Sequence, residues 1–189
     1  MIASEHLFWI TSRAAGGAAL ILASAAVAVG LMIGARRQSA TATKGDLRAI
    51  HEALSLTTLA MVALHGVSLL GDSYLNPGVA GISIPFVSFY RPLWTGLGIV
   101  AGYGLAALGL TYYMRDRIGA ARWRRLHRFT AAFWVLAIVH TIGAGSDAAQ
   151  LWFLLAAGIV VVPAAALLVL RHLDRWWNAP VGPRVPDGA

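Results

Sequence analysis

Apolar residues run along this chain in long blocks rather than in the short alternations of a water-soluble fold. Five blocks reach the length needed to cross a membrane, about 20 residues for a hydrocarbon core of about 30 Å. They cover residues 14–34, 50–70, 92–114, 129–144 and 151–170. The fourth is the shortest and can extend back to Leu126. Between them, 35–49 and 115–128 are short and basic, 72–91 is longer and rich in Gly, Pro and Ser, and 145–150 is a tight turn. The pattern predicts an all-α integral membrane protein, a bundle of five transmembrane helices. The first block lacks a basic start and is too long for the apolar core of a signal peptide, so it counts as a span. One membrane domain is expected over 1–171, followed by a tail, 172–189, that is partly disordered around Pro180, Pro183 and Pro186.

Composition agrees with this picture. Of 189 residues 58% are hydrophobic and 12% charged, with a mean hydropathy of +0.68, more apolar surface than a soluble domain of this size can hide. The formal charge of +7 does not signal nucleic acid, because the basic residues gather at the ends of apolar blocks. Thirteen of the fifteen Lys and Arg lie in 35–49, 115–128 and the C-terminal stretch from Arg171 onward; only Arg13 and Arg91 lie on the opposite side. The positive-inside rule places the thirteen in the cytoplasm, with the N-terminus outside and the C-terminus inside. Trp9, Trp94 and Trp152 fall at outer ends and Trp123, Trp176 and Trp177 at inner ends, as an aromatic belt would; Trp134 stands apart, well inside a span. The absence of cysteine rules out c-type haem attachment, cysteine-ligated iron–sulfur clusters, thiolate zinc sites and disulfides.

The candidate chemistry lies in four histidines. His51 and His65 are fourteen residues apart on span two, and His127 and His140 thirteen apart on span four. At 1.5 Å per residue each pair extends about 20 Å, most of the membrane. Both spans run from inside to outside, so His51 and His127 share an inner level and His65 and His140 an outer one. Each level offers two imidazoles from two helices, suited to the two axial positions of a haem iron. Two b haems between spans two and four are expected. Fourteen residues return to within about 40° of the same helix face, whereas thirteen miss it by about 140°. Span four therefore needs a local distortion or a strong tilt, and if one haem is missing it is the inner one. Arg48, Arg124 and Arg128 flank the inner level and Arg91 the outer, where guanidinium groups can meet haem propionates; topology and membrane anchoring are their alternative roles. Phe133 and Trp134 lie between the levels, as core packing or in an electron path. His6 and His172 read as surface residues. The five glycines of 96–109, Gly98 and Gly102 among them, fit close helix approach and ordinary membrane-helix composition equally well.

With these spacings the chain resembles the ferric-reductase-like transmembrane family, which includes the membrane parts of NADPH oxidases, ferric reductases and a bacterial haem b subunit of methionine sulfoxide reductase. The resemblance rests on the His51/His65 and His127/His140 pairs and on the text around them: LHGVSLLGDSY, YRPLW, WRRLHRF and HTIGAGSD. It implies transmembrane electron transfer through two bis-histidine b haems. The donor would be a cytoplasmic flavoprotein reductase or a membrane quinol, and the extracytoplasmic acceptor oxygen, a ferric chelate or a partner protein. Larger members append a flavin- and nicotinamide-binding domain and have six spans; here neither is expected, which makes the chain an oxidoreductase component. Two other readings stand beside it, a quinol-linked b561-like cytochrome handling quinone or superoxide, and a haem-free proton or metal-ion pathway or assembly subunit. The last is weakened by the shortage of intramembrane carboxylates, Glu52 being the only one, at a span end.

Overall fold

The computed structural model describes residues 2–35 and 43–177, with side chains from residue 6 to residue 173. The prolines expected to disorder the tail, and Arg36 and Arg37 of the first basic connection, lie outside the described residues. Within them the chain is helical: α1 (Ile2–Gly34), α2 (Lys44–Ser68) running into a 3-10 turn (Leu69–Gly71), α3 (Gly78–Ser83), α4 (Pro92–Leu110), a second 3-10 turn (Thr111–Met114), α5 (Arg115–Ile118), α6 (Ala120–His127), α7 (Thr130–Ala144) and α8 (Leu151–Trp177). Five stretches are long and apolar enough to cross a membrane: His6–Gly34, Lys44–Gly71, Pro92–Ile118, Ala120–Ala144 and Leu151–Leu173. The protein is a multi-pass membrane protein with the five spans read from its sequence.

α1 and α2 start before their apolar blocks and α8 runs past its own, and helix ends are fixed by groups that hydropathy does not register. Thr43 starts α2 through a reciprocal cap. Its hydroxyl accepts from the Asp46 N–H at 3.2 Å, and its own N–H donates to Asp46 Oδ2 at 2.9 Å, which satisfies two donors the helix leaves open. Pro92 opens α4 at a position where no N–H is needed.

Packing divides the bundle into two antiparallel hairpins, α1 against α2 and α4 against α7, with α8 laid on α1. The α2 and α7 backbones hardly touch, so a slot remains between the hairpins. The bundle closes where Trp134 of α7, 1% exposed, packs with Ala23 of α1 and Ala164 of α8. Its indole Nε1 donates to Ser24 Oγ at 3.0 Å, and that hydroxyl donates to the Leu20 carbonyl at 2.7 Å. The tryptophan that failed to fit the aromatic belt is thus the centre of the core, with its one polar atom paired as a buried indole requires. At the charge-poor end Arg13 pairs with Asp147, donating from Nε to Oδ2 at 3.0 Å, and stacks over Trp9 at 4.0 Å. That contact ties α1 to the turn between α7 and α8.

Candidate functional site

The four intramembrane histidines meet in pairs across the slot. The ring centres of His51 and His127 are 6.1 Å apart with planes at 85°, and those of His65 and His140 are 6.3 Å apart with planes at 71°. The first pair lies toward the arginine-rich connections and the second toward the opposite, charge-poor end.

Each ring is held in the same way. Nδ1 of His51 lies 2.9 Å from the Ala26 carbonyl, Nδ1 of His65 2.8 Å from that of Ser12, Nδ1 of His127 3.3 Å from that of Leu108, and Nδ1 of His140 2.8 Å from that of Trp94. A carbonyl oxygen can only accept, so Nδ1 carries the proton in all four and Nε2 keeps its lone pair. This is the arrangement by which proteins fix a metal-ligating imidazole. Ser12 adds a second hold on His65, its hydroxyl lying 3.0 Å from Nδ1 and donating to the His65 carbonyl at 3.0 Å.

Glycines let the rings approach. A Cβ on Gly16 would come within 2.9 Å of His65 Nδ1, and one on Gly30 within 3.1 Å of His51 Cε1. Gly16 and Gly30 are fourteen residues apart on α1, the same interval as His51 and His65 on the antiparallel α2. On the other hairpin a Cβ on Gly98 would overlap the His140 ring, and one on Gly104 the Phe133 ring. Gly98 and Gly104 of span three are therefore seats for rings of α7.

Span four solves its thirteen-residue spacing by breaking. Between α6 and α7 the Phe129 N–H bonds the Leu126 carbonyl at 2.9 Å and the Ala132 N–H the Phe129 carbonyl at 3.0 Å. These are i to i−3 bonds, tighter than the α pattern, and they rotate the two halves of the span relative to each other.

A cavity of about 220 Å³ adjoins the His51/His127 pair and is also lined by Gly30, Arg128, Arg171 and His172. Of the arginines singled out in the sequence, Arg128 lines it, whereas Arg48 and Arg124 are exposed and do not. Arg91 spends Nη1 on the Gly143 carbonyl at 2.6 Å, one turn from His140. Sequence reasoning missed Arg171 and His172, which it grouped with the tail. It also missed Trp123, stacked on His127 at 4.8 Å and 26° and edge-on to Tyr112. Glu52 accepts from the Tyr113 hydroxyl at 2.7 Å.

The donor set fits a haem better than a bare ion. An imidazole nitrogen binds a transition metal at about 2.0–2.1 Å and lies about 1.1 Å from its ring centre, so two imidazoles on opposite sides of one iron have centres about 6.3 Å apart. Among the described residues no group of three or more His, Cys, Asp or Glu could hold a metal ion. Two imidazoles alone leave most of a coordination sphere unfilled, which a porphyrin's four nitrogens would complete.

Residues 15–138 match the family model described as ferric reductase like transmembrane component. The chain belongs to that family. The match takes in His51, His65 and His127 and stops two residues short of His140. Searches of curated proteins and of solved structures returned no match. For a family member, transmembrane electron transfer is the general expectation.

Proposed function

We propose that this chain carries electrons across the membrane through two b haems, one held by His51 and His127 and the other by His65 and His140. The single observation that carries the reading is the repeated pair: two imidazoles from two helices, each with its Nδ1 proton on a backbone carbonyl, separated by the span of one iron. When bound, each haem would supply an iron that takes up and releases one electron. The protein's part is to hold, space and insulate. Backbone carbonyls of Ala26, Ser12, Leu108 and Trp94 orient the rings and raise the basicity of the free nitrogens. Trp134 fills the core between the two levels and excludes water there. Arg128 and Arg171 give the cavity at the basic end a cationic edge suited to propionates, with the His172 ring beside them.

By the positive-inside rule the basic end faces the cytoplasm. The donor there is a flavoprotein or a quinol, and the acceptor at the charge-poor end is oxygen, a ferric chelate or a partner protein. Vesicles reconstituted with haem-loaded protein and filled with ferricyanide test the reading. Reductant added outside should bleach the trapped dye many times faster than in vesicles carrying the His65→Ala/His140→Ala double variant. Equal rates would overturn it.

A further inference from the structure

The connection between α2 and α4 does not rise away from the bundle. Tyr103 lies eleven residues into α4, about 16 Å along the axis from Pro92. Its hydroxyl nevertheless donates to the carbonyl of Ser83, at the end of α3, at 2.7 Å. Even with the ring stretched fully toward the helix N-terminus, as helical side chains lean, that carbonyl sits about 7–10 Å below the start of α4. A second marker agrees. A Cβ on Gly96 would overlap the Phe86 ring and come within 2.7 Å of the Phe86 backbone nitrogen, so that backbone rests on the second turn of α4. Phe86 takes a left-handed conformation (φ 67°), costly for a bulky residue.

The segment is built for a medium without water. From Ser73 to Tyr90 there is no charged residue. Val79, Ile84, Phe86, Val87 and Phe89 are each more than half exposed. Backbone groups of its short helix and of Tyr90, where the chain enters α4, are nonetheless paired. Gly81 N–H bonds the Pro77 carbonyl at 3.2 Å and Ile84 N–H the Ala80 carbonyl at 2.8 Å. Tyr90 N–H bonds Ser88 Oγ at 3.3 Å, and the Tyr90 carbonyl accepts from Thr95 at 2.7 Å. Pro77 and Pro85 have no N–H to satisfy. Non-helical backbone survives at membrane depth only when it lies against protein with its polar groups paired.

We infer that residues 78–89 form a re-entrant segment, backed by α4, whose exposed apolar side chains contact the hydrocarbon of the leaflet at the charge-poor end. A chain without cysteine allows a clean test. Nitroxide labels on Val79→Cys, Val87→Cys and, as a control in the α7–α8 turn, Ala149→Cys are read by EPR power saturation in nanodiscs of the pure, haem-free full chain. The labels at 79 and 87 should be several-fold more accessible to oxygen than to a water-soluble nickel chelate, with the ratio reversed at 149. Nickel accessibility at 79 and 87 equal to that at 149 would place the segment in water and overturn the inference. Exclusion of both reagents would mean a protein covers it, a second copy included, and would overturn it too. Tyr103→Phe, which removes the anchoring bond and little volume, should raise nickel accessibility at 87; no change would refute the anchoring.

Discussion

Replacing Gly98 by alanine separates where a histidine sits from what a histidine is, because no ligand atom changes. The added Cβ would overlap Nδ1, Cε1 and Cγ of His140, and the ring is not free to slide, since Nδ1 is held 2.8 Å from the Trp94 carbonyl. Ordinary packing at about 3.5–4.0 Å is restored only if the ring retreats by about 1 Å, roughly twice what a ligand site tolerates. Overpacking of this kind costs about 1–3 kcal/mol. If the strain is relieved by loss of the ligand geometry, haem affinity at that level falls by about 5- to 150-fold. Gly66→Ala is the matched control. It neighbours His65, and a Cβ there meets nothing within 4 Å. Pyridine haemochrome titration of purified protein should give about one b haem per chain for Gly98→Ala and about two for Gly66→Ala. Full haem content in Gly98→Ala, with an unchanged reduced-minus-oxidised spectrum, would refute the placement of His140 as a ligand.

Trp134→Ala should lower stability by about 3–5 kcal/mol, because it empties the centre of the core. Trp134→Phe should cost closer to 1–3 kcal/mol, through the lost bond to Ser24; thermal melts in detergent check both, and equal effects would mean that ring packing adds nothing beyond the hydrogen bond. Thr43→Ala removes the reciprocal cap of α2 and should cost about 1 kcal/mol, seen as a lower melting temperature at unchanged haem content. Asp147→Asn should weaken the bundle by about 1–3 kcal/mol, because the Arg13 and Asp147 side chains are part-buried, 31% and 17% exposed, and raised salt should change that difference little.

Five spans and four paired histidines were legible in the sequence because each leaves a one-dimensional mark: unbroken hydropathy for the helices, fixed intervals on two of them for the rings. The angular misfit of His127 and His140 was legible as well, and the break at Arg128–Phe129 is where the chain answers it. The partners of Nδ1 were not, since four backbone carbonyls carry no residue-type signal. Gly16 and Gly30 were readable in principle, as their interval repeats that of His51 and His65. It becomes visible only once α1 is known to run antiparallel to α2. Arg171 and His172 looked like the start of a tail because α8 continues past its apolar block into the region beside the cavity. The downward course of 78–89 rests on the Tyr103–Ser83 bond and on Phe86 seated against Gly96, distant contacts that no local pattern announces.

Haem stoichiometry decides between two haem sites and none. Full-length protein expressed with haem supplied and purified in detergent should yield about two b haems per chain. His51→Ala or His127→Ala should each abolish one, His65→Ala or His140→Ala the other, and His6→Ala neither. Protein without haem, or haem lost equally on His6→Ala, would contradict the two-haem assignment and bring a haem-free role for the paired histidines forward.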